Sequence, residues 1–192
     1  MHIEIDPDKT YGIMLSGGLD SAILLYLLIK NNPLINLQPF TIAKSDGAAL
    51  YVDSIVEHFN RKFNLSLPKP ILVGNPEIFH RLQGASAINE IMNKYPVDYL
   101  FNALNQNPPE LIDMPGAAIR SKSSPFSKLR LPFASMYKDQ IVKYMFDNQQ
   151  EDLMNITHTC TEQQHGRCGK CWQCTERKWA FAKLNKEDTG QL

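Results

Sequence analysis

Short apolar segments alternate with longer amphipathic segments through most of this chain. Compact apolar runs predict strands, and apolar residues that recur every three or four positions predict helices. The predicted strands cover residues 11–15, 37–43, 71–73 and 98–104, and the predicted helices cover 20–30, 48–63, 85–94 and 138–148. This alternation is typical of a doubly wound α/β fold with a mostly parallel sheet. Ligands of such folds bind beyond the carboxyl ends of the strands.

The sequence Ser-Gly-Gly-Leu-Asp-Ser at residues 16–21 joins the first predicted strand to the first predicted helix. Its glycines allow backbone N–H groups to approach phosphate oxygens, and the helix directs its positive end at the same anion. The hydroxyls of Ser16 and Ser21 are further donors, and Asp20 is suited to hold Mg²⁺. A simpler interpretation is a Gly-Gly turn in which Ser16 or Asp20 caps the helix.

The loop is not a Walker A motif, because Gly-x-x-x-x-Gly-Lys-Ser/Thr is absent and no lysine lies in it. We therefore expect cleavage between the α- and β-phosphates of ATP rather than transfer of the γ-phosphate. The motif resembles the PP-loop signature of the ATP pyrophosphatases, which implies a Rossmann-type (HUP-like) fold that binds ATP and Mg²⁺. The nucleotide-binding candidates are Ser16, Gly17, Gly18, Leu19, Asp20 and Ser21, with Lys44 after the second predicted strand.

The segment between residues 105 and 136 loses the periodicity and carries five prolines. From Ala117 to Lys138 the chain contains five basic residues and no acidic one. Since the loop has no lysine, other cations must neutralise the triphosphate, and this segment is the richest source. The catalytic candidates are therefore Asp20, Ser21, Arg120, Lys122 and Lys138. The other interpretation is a solvated basic loop.

All four cysteines lie within fifteen residues, at Cys160, Cys168, Cys171 and Cys174. Two-residue spacers suit tetrahedral thiolate binding of Zn²⁺, and four thiolates leave no open position, so the site would be structural. It would fix a C-terminal helix from Thr175 onward to the domain. The same residues also suit an iron–sulfur cluster, and Cys171-x-x-Cys174 alone suits redox chemistry. His158 and His165 lie close by, as outer groups rather than ligands.

Composition narrows the class of protein. Twenty basic and twenty acidic residues give a formal net charge of zero, so nucleic acid is not an expected partner. The first nine residues have no leader-like pattern, and the longest apolar run, Ala22 to Ile29, is far below the roughly 18 residues of a membrane span. We expect a cytoplasmic protein with an ATP-binding domain over residues 1–155 and a zinc-binding segment over 156–192.

The two motifs together resemble the 7-cyano-7-deazaguanine synthases of queuosine biosynthesis. The resemblance covers Tyr11 to Ile29 and the chain from about Leu131 to its end. The second part includes Lys138, the sequence Thr-His-Thr-Cys ending at Cys160, and Cys-Gly-Lys-Cys-Trp-Gln-Cys-Thr-Glu-Arg from Cys168. It implies ATP-dependent activation of the carboxylate of 7-carboxy-7-deazaguanine, amidation by ammonia, and dehydration to a nitrile with a second ATP. It also implies that residues 16–18, 20 and 21 bind ATP and that the four cysteines bind zinc. We expect a homodimer.

The middle of the chain departs from that family. A Tyr-Gly-Gln-Arg-His stretch is replaced by Ala-Lys-Ser-Asp-Gly at residues 43–47, and Pro-Gly-Arg-Asn by Pro-Gly-Ala-Ala at 115–118. Amides between Asn102 and Asn107 are either readers of a polar ring or turn residues. The departures concern the substrate, so three functions stay open: an enzyme that activates this or another carboxylate, a tRNA-thiolating PP-loop enzyme, and a non-enzymatic nucleotide-binding module.

Overall fold

The computed structural model describes residues 1, 3–42, 47–78, 80–117, 120 and 126–190, the side chains of 80 and 81 aside. Its strands are β1 Tyr11–Met14, β2 Leu37–Ile42, β3 Ile71–Val73, β4 Tyr99–Phe101 and β5 Leu129–Arg130. Its helices are α1 Leu19–Asn31, α2 Val52–Phe63, α3 His80–Lys94, α4 Lys138–Asp147, α5 Leu153–Ile156 and α6 Trp172–Lys183. Short 3-10 helices cover Ala48–Tyr51 and Pro109–Leu111.

The five strands form one all-parallel sheet in the order β3-β2-β1-β4-β5. From β1 the chain moves outward through β2 to β3, and it then crosses back to place β4 on the other side of β1. The strand order therefore reverses between β1 and β4, where open α/β sheets bind their ligands. This confirms the predicted doubly wound fold.

Side chains alternate between the two faces of the sheet along each strand. Both faces carry buried side chains, and a core covers each of them. One core contains Tyr11 and Ile13 of β1 together with α1, and a second core contains Met14 with Phe40 of β2 and α3. In α1, ten of thirteen residues are buried. Within the described part of the chain, no helix combines the length and apolarity needed to cross a membrane.

The structure differs from the predicted elements in the irregular middle segment and at some boundaries. The two residues of β5 pair only with β4, and a two-residue strand is too short to show a period. Helix α3 begins at His80 rather than at residue 85, and α6 begins at Trp172 rather than at Thr175. The division into residues 1–155 and 156–192 stays a prediction.

Candidate active site

The glycine loop between β1 and α1 has a backbone that only glycine accommodates well. Gly17 has a φ of +79°, and a Cβ at this position would lie 1.9 Å from the carbonyl oxygen of Ala48. Gly18 is the N-cap of α1, and its N–H donates to Ser16 Oγ over 3.3 Å. A side chain at position 17 would therefore require a different path for the loop.

The two serine hydroxyls lie side by side beneath the loop. Ser16 Oγ and Ser21 Oγ are 3.2 Å apart, and Ser21 Oγ donates to the Gly18 carbonyl oxygen over 3.0 Å. Among the described residues, no side chain caps α1. The simple capping interpretation is therefore wrong. A helix N-terminus without a side-chain cap is the arrangement found at anion sites.

Four charged side chains from distant parts of the chain meet beside this loop. Lys138 Nζ, at the start of α4, lies 2.6 Å from Asp20 Oδ2 and 3.3 Å from Glu176 Oε2. Arg120 contacts the same Glu176 carboxylate through two nitrogens, at 2.7 Å and 3.3 Å. We call these four residues, Asp20, Arg120, Lys138 and Glu176, the loop-side cluster.

The loop-side cluster is buried and electrically balanced. Burial alone would lower the pKa of Lys138, but Asp20 and Glu176 outweigh it, so the pKa is raised. Burial would likewise raise the pKa of Glu176, but Lys138 and Arg120 outweigh it and lower this pKa. Both residues are therefore charged at neutral pH. The interpretation of Arg120 and Lys138 as solvated surface cations is wrong.

The remaining basic candidates divide into two groups. Lys44 and Lys122 lie outside the described residues. Lys128 donates to the carbonyl oxygen of Val97, and the Arg130 guanidinium lies 4.1 Å from the ring centre of Tyr99. Of the described basic residues from 117 to 138, the structure thus brings Arg120 and Lys138 to the glycine loop, and it places Lys128 and Arg130 elsewhere.

A cavity of about 310 Å³ lies at the carboxyl ends of β1 and β4. Its lining includes Ser16 and Asp20 of the glycine loop together with Asn102, Asn105 and Arg120. A smaller cavity of about 160 Å³ adjoins Asp20 and reaches toward Cys160. The glycine loop therefore lines both the 310 Å³ cavity and the smaller cavity that reaches the cysteine segment.

His158 connects the glycine loop to that cysteine segment. Its backbone N–H donates to the carbonyl oxygen of Gly17 over 2.8 Å. Its ring is buried and stacks on Tyr51, with the ring centres 4.9 Å apart. The stack fixes the chain two residues before Cys160, so the glycine loop and the first cysteine are held at a defined spacing.

The four cysteine sulfurs converge on one point. They lie within 4.8 Å of one another, and all four thiols are free of disulfides. The backbone N–H of Glu162 donates to Cys160 Sγ over 3.4 Å, and that of Cys171 to Cys168 Sγ over 3.2 Å. Hydrogen bonds from the N–H groups of Lys170 and Cys171 lower the pKa of the Cys168 thiol to about 7. The arrangement is that of a metal site of thiolates.

Two arginines near the cysteines bind a carboxylate rather than the sulfurs. Arg177 Nε lies 2.7 Å from Asp188 Oδ2, and Arg167 reaches the same carboxylate at 2.5 Å. Arg177 also donates to Thr159 Oγ1 over 2.9 Å. We call Arg167, Arg177 and Asp188 the tail cluster, because it holds the end of the chain against the cysteine segment.

Sequence reasoning missed Glu176 and Tyr51, and it included Asn105 only as one of several amides between residues 102 and 107 that either read a polar ring or form turns. A signal for Glu176 was present, because Trp172, Glu176 and Ala180 recur every four residues on the buried side of α6. A carboxylate on the buried stripe of a helix requires a buried cation as partner. The contribution of Asn105 and Tyr51 depends on contacts between distant segments, which no local pattern contains.

Comparison with known proteins agrees with the C-terminal motifs. The family model described as Queuosine biosynthesis protein QueC matches residues 106–185. No curated protein matches this chain significantly. Among solved structures, the U34-tRNA thiolase NcsA from Methanococcus maripaludis with its 4Fe-4S cluster has 16% sequence identity and a TM-score of 0.43. That similarity covers 74% of this chain and 57% of the thiolase, and we draw no functional inference from it.

The matched residues include Arg120, Lys138, Glu176 and the four cysteines. They therefore contain most of the loop-side cluster and the whole of the candidate metal site. The N-terminal glycine loop lies outside the match, but the fold places it against these residues. The structure and the comparison together confirm the predicted resemblance: residues 106–185 are similar to the QueC family of queuosine biosynthesis proteins.

Proposed function

We propose that this protein is an ATP-dependent carbon–nitrogen ligase. It adenylates the carboxylate of 7-carboxy-7-deazaguanine or a related acid and converts it with ammonia to an amide and then a nitrile, with release of AMP and pyrophosphate. The observation that carries this proposal is the loop-side cluster, which brings the buried Lys138 and the partly buried Arg120 to a glycine loop without a lysine. The match to residues 106–185 supports the choice of acid.

The residues present fit ATP and Mg²⁺. The loop N–H groups and the hydroxyls of Ser16 and Ser21 are suited to phosphate oxygens. Asp20 Oδ1 is buried and has no hydrogen-bond partner among the described residues, whereas Oδ2 contacts Lys138. A free carboxylate oxygen beside a phosphate site is a suitable ligand for Mg²⁺, which would neutralise charge on the phosphate oxygens.

The chain's own residues then act mainly by position and charge. Lys138 and Arg120 stabilise negative charge that develops as the acid attacks the α-phosphorus, and Ser21 holds the glycine loop in shape through its hydrogen bond to the Gly18 carbonyl oxygen. The loop-side cluster is already balanced by Asp20 and Glu176. A bound triphosphate therefore needs additional positive charge, for which Mg²⁺, Lys44, Lys122 or a second subunit of a homodimer are the candidates.

We propose Zn²⁺ as the metal of the cysteine site. Four ligands at about 2.3 Å from one tetrahedral ion lie about 3.8 Å apart. The upper limit of 4.8 Å between these sulfurs is close to that spacing. The four thiolates of an iron–sulfur cube bind four different iron atoms and stand farther apart. Free thiolates also agree with the cytoplasmic location that we propose.

ATP–pyrophosphate exchange in the presence of candidate acids tests the reaction, beginning with 7-carboxy-7-deazaguanine. We expect exchange that depends on the acid, with AMP rather than ADP as the product. Asp20→Asn should abolish exchange without unfolding the protein. Asp53→Asn is the matched control, since Asp53 lies in the first turn of α2 and is exposed. Acid-independent turnover to ADP would contradict the proposal.

Elemental analysis tests the metal. We expect one zinc per chain, lost together with the folded state when Cys171 is replaced by serine. Since every cysteine of the chain lies in the cluster, chelation of the metal should release four thiols per chain to a thiol reagent. Iron with visible cluster absorption would reject zinc.

A second candidate is a tRNA-thiolating PP-loop enzyme. It is favoured by one observation: Cys168 and Cys171 are only half-buried, and the pKa of Cys168 is near neutrality. A thiolate of this kind can carry sulfur when no metal occupies it. Transfer of labelled sulfur to unmodified tRNA, together with iron in the purified protein, would favour this reaction over carboxylate activation.

A further inference from the structure

Arg120 fixes the orientation of the Asn105 side-chain amide. Arg120 Nη1 lies 2.5 Å from Asn105 Oδ1, and a guanidinium only donates hydrogen bonds, so the atom facing it is the amide oxygen. Arg120 is itself held by both oxygens of Glu176 and by the carbonyl oxygen of Gln106. Because Arg120 has these other anchors, Asn105 cannot turn its amide without losing the contact.

This orientation leaves the Asn105 amide nitrogen without an acceptor. Asn105 is 4% exposed, and its Nδ2 has no hydrogen-bond partner among the described residues. Nearly all buried polar groups in folded proteins are hydrogen-bonded, and the exceptions call for an explanation. The N–H donors of Asn105 therefore lack a group that accepts from them.

Asn105 lies where a ligand would supply such a group. It lines the 310 Å³ cavity beyond the carboxyl end of β4, and Ser16 and Asp20 of the glycine loop line the same cavity. A phosphate held by the glycine loop would leave the part of this cavity beside Asn105 for the acid. The adjacent Arg120 adds positive charge, which favours a carboxylate or carbonyl oxygen over a donor group.

We propose that Asn105 is a specificity-determining residue that donates a hydrogen bond from Nδ2 to a carboxylate or acyl oxygen of the acid substrate. This inference rests on the proposed carboxylate activation. The inference names the contact that selects the acid. A compound that presents a hydrogen-bond donor to Asn105 Nδ2 would place two donors against each other and would bind less well. Glu176 acts through Arg120 as the positioning residue for this amide.

Asn105→Asp is the decisive variant. The substituted carboxylate has nearly the shape of the amide and keeps an oxygen toward Arg120, but it replaces the donor by an acceptor. In ATP–pyrophosphate exchange with 7-carboxy-7-deazaguanine, we expect KM for the acid to rise about 10- to 100-fold. The affinity for a non-hydrolysable ATP analogue should stay unchanged, because the glycine loop binds the nucleotide. The primary amide of the same acid, which presents N–H donors, should inhibit this variant at least as well as the parent.

Two further variants make the outcome clear. Asn36→Asp introduces the same change at an exposed residue and should leave both constants unchanged. Asn105→Ser removes the donor without adding charge and should raise KM for the acid in the same direction, which covers the case in which the aspartate variant fails to fold. Unchanged KM for the acid in both Asn105 variants, or a loss confined to nucleotide affinity, would overturn the inference. An exchange-inactive parent protein would instead reject the proposed function.

Discussion

Two buried clusters in this protein each place two cations around one carboxylate, and they differ in what surrounds them. In the loop-side cluster, Arg120 and Lys138 share Glu176. In the tail cluster, Arg167 and Arg177 share Asp188. Glu176 and Arg177 are neighbours on α6, so one turn of this helix contributes to both.

The loop-side cluster is balanced by a second carboxylate, Asp20, and it borders a cavity. The tail cluster has no second carboxylate among its described contacts, and Arg177 completes its bonding with Thr159 Oγ1 and the carbonyl oxygen of Met154. In the loop-side cluster, which borders a cavity, a bound anion can form ion pairs with the two cations in place of a carboxylate. In the tail cluster the hydrogen bonds come from the chain itself, so we expect this cluster to contribute to stability.

The largest effect is expected from Asp188→Asn. It leaves the buried guanidinium of Arg177 and the partly buried one of Arg167 without their shared carboxylate, and breaking a buried pair in this way costs about 3–5 kcal/mol. Urea unfolding should show that the free energy of unfolding of this variant is lower than that of the parent protein. Saturating Mg–ATP should leave this difference unchanged. Glu187→Gln, at the exposed neighbouring position, is the control and should have little effect.

Glu176→Gln should cost about 3 kcal/mol in the nucleotide-free protein, at the lower end of the range because Asp20 still pairs with Lys138. Here the deficit should shrink when Mg–ATP is added, since phosphate oxygens replace the missing carboxylate charge. The same urea experiment measures it. Equal behaviour of the Glu176 and Asp188 variants toward Mg–ATP would remove the distinction between the clusters.

Lys138→Ala and Arg120→Ala should slow ATP–pyrophosphate exchange about 10- to 100-fold, the loss of a charge-assisted contact worth about 1.5–3 kcal/mol. The best control for Lys138→Ala lies on the same helix, α4. Lys143→Ala removes an exposed lysine that pairs only with Asp147 among its described contacts, and it should leave exchange unchanged. Silent variants at both Arg120 and Lys138 would show that the loop-side cluster does not contact phosphates.

The smallest effect concerns pH. Burial would raise the pKa of Asp188, but Arg177 and Arg167 outweigh it and lower this pKa, as Lys138 and Arg120 do for Glu176. A lowered pKa adds stability that is complete above the ordinary carboxyl range and is lost as the pH falls through the folded value. Each unit of lowering contributes about 1.4 kcal/mol. Unfolding measured from pH 7 downward should therefore show a shallower decline in Asp188→Asn than in the parent, and parallel curves would contradict this.

The sequence predicted what is local. The four cysteines lie within fifteen residues, so their spacing alone indicated the cluster that the sulfurs form. The glycine loop and the parallel sheet were likewise visible as a contiguous motif and a repeated pattern. Arg120 and Lys138 were found because the loop lacks a lysine, which is a chemical argument rather than a pattern.

What the sequence did not predict is the charge balance. The stretch from Ala117 to Lys138 contains no acid, yet the carboxylates of Asp20 and Glu176, far away along the chain, pair with its Arg120 and Lys138. Ion pairing over such separations depends on the packing of α6 against α4, which hydrophobic periodicity does not specify. The orphaned donor of Asn105 is a consequence of the same packing.

The hydrogen bond from the His158 amide to the Gly17 carbonyl oxygen provides an intrinsic reporter of the conformation of the glycine loop. The amide proton of His158 exchanges with solvent only when that bond opens, and its acceptor is Gly17, the residue with the φ of +79°. Slow hydrogen–deuterium exchange at this single amide would therefore record that the loop keeps its shape before any nucleotide arrives. A peptide that begins several residues before His158 and ends at Cys160 would carry that signal without any label on the loop itself.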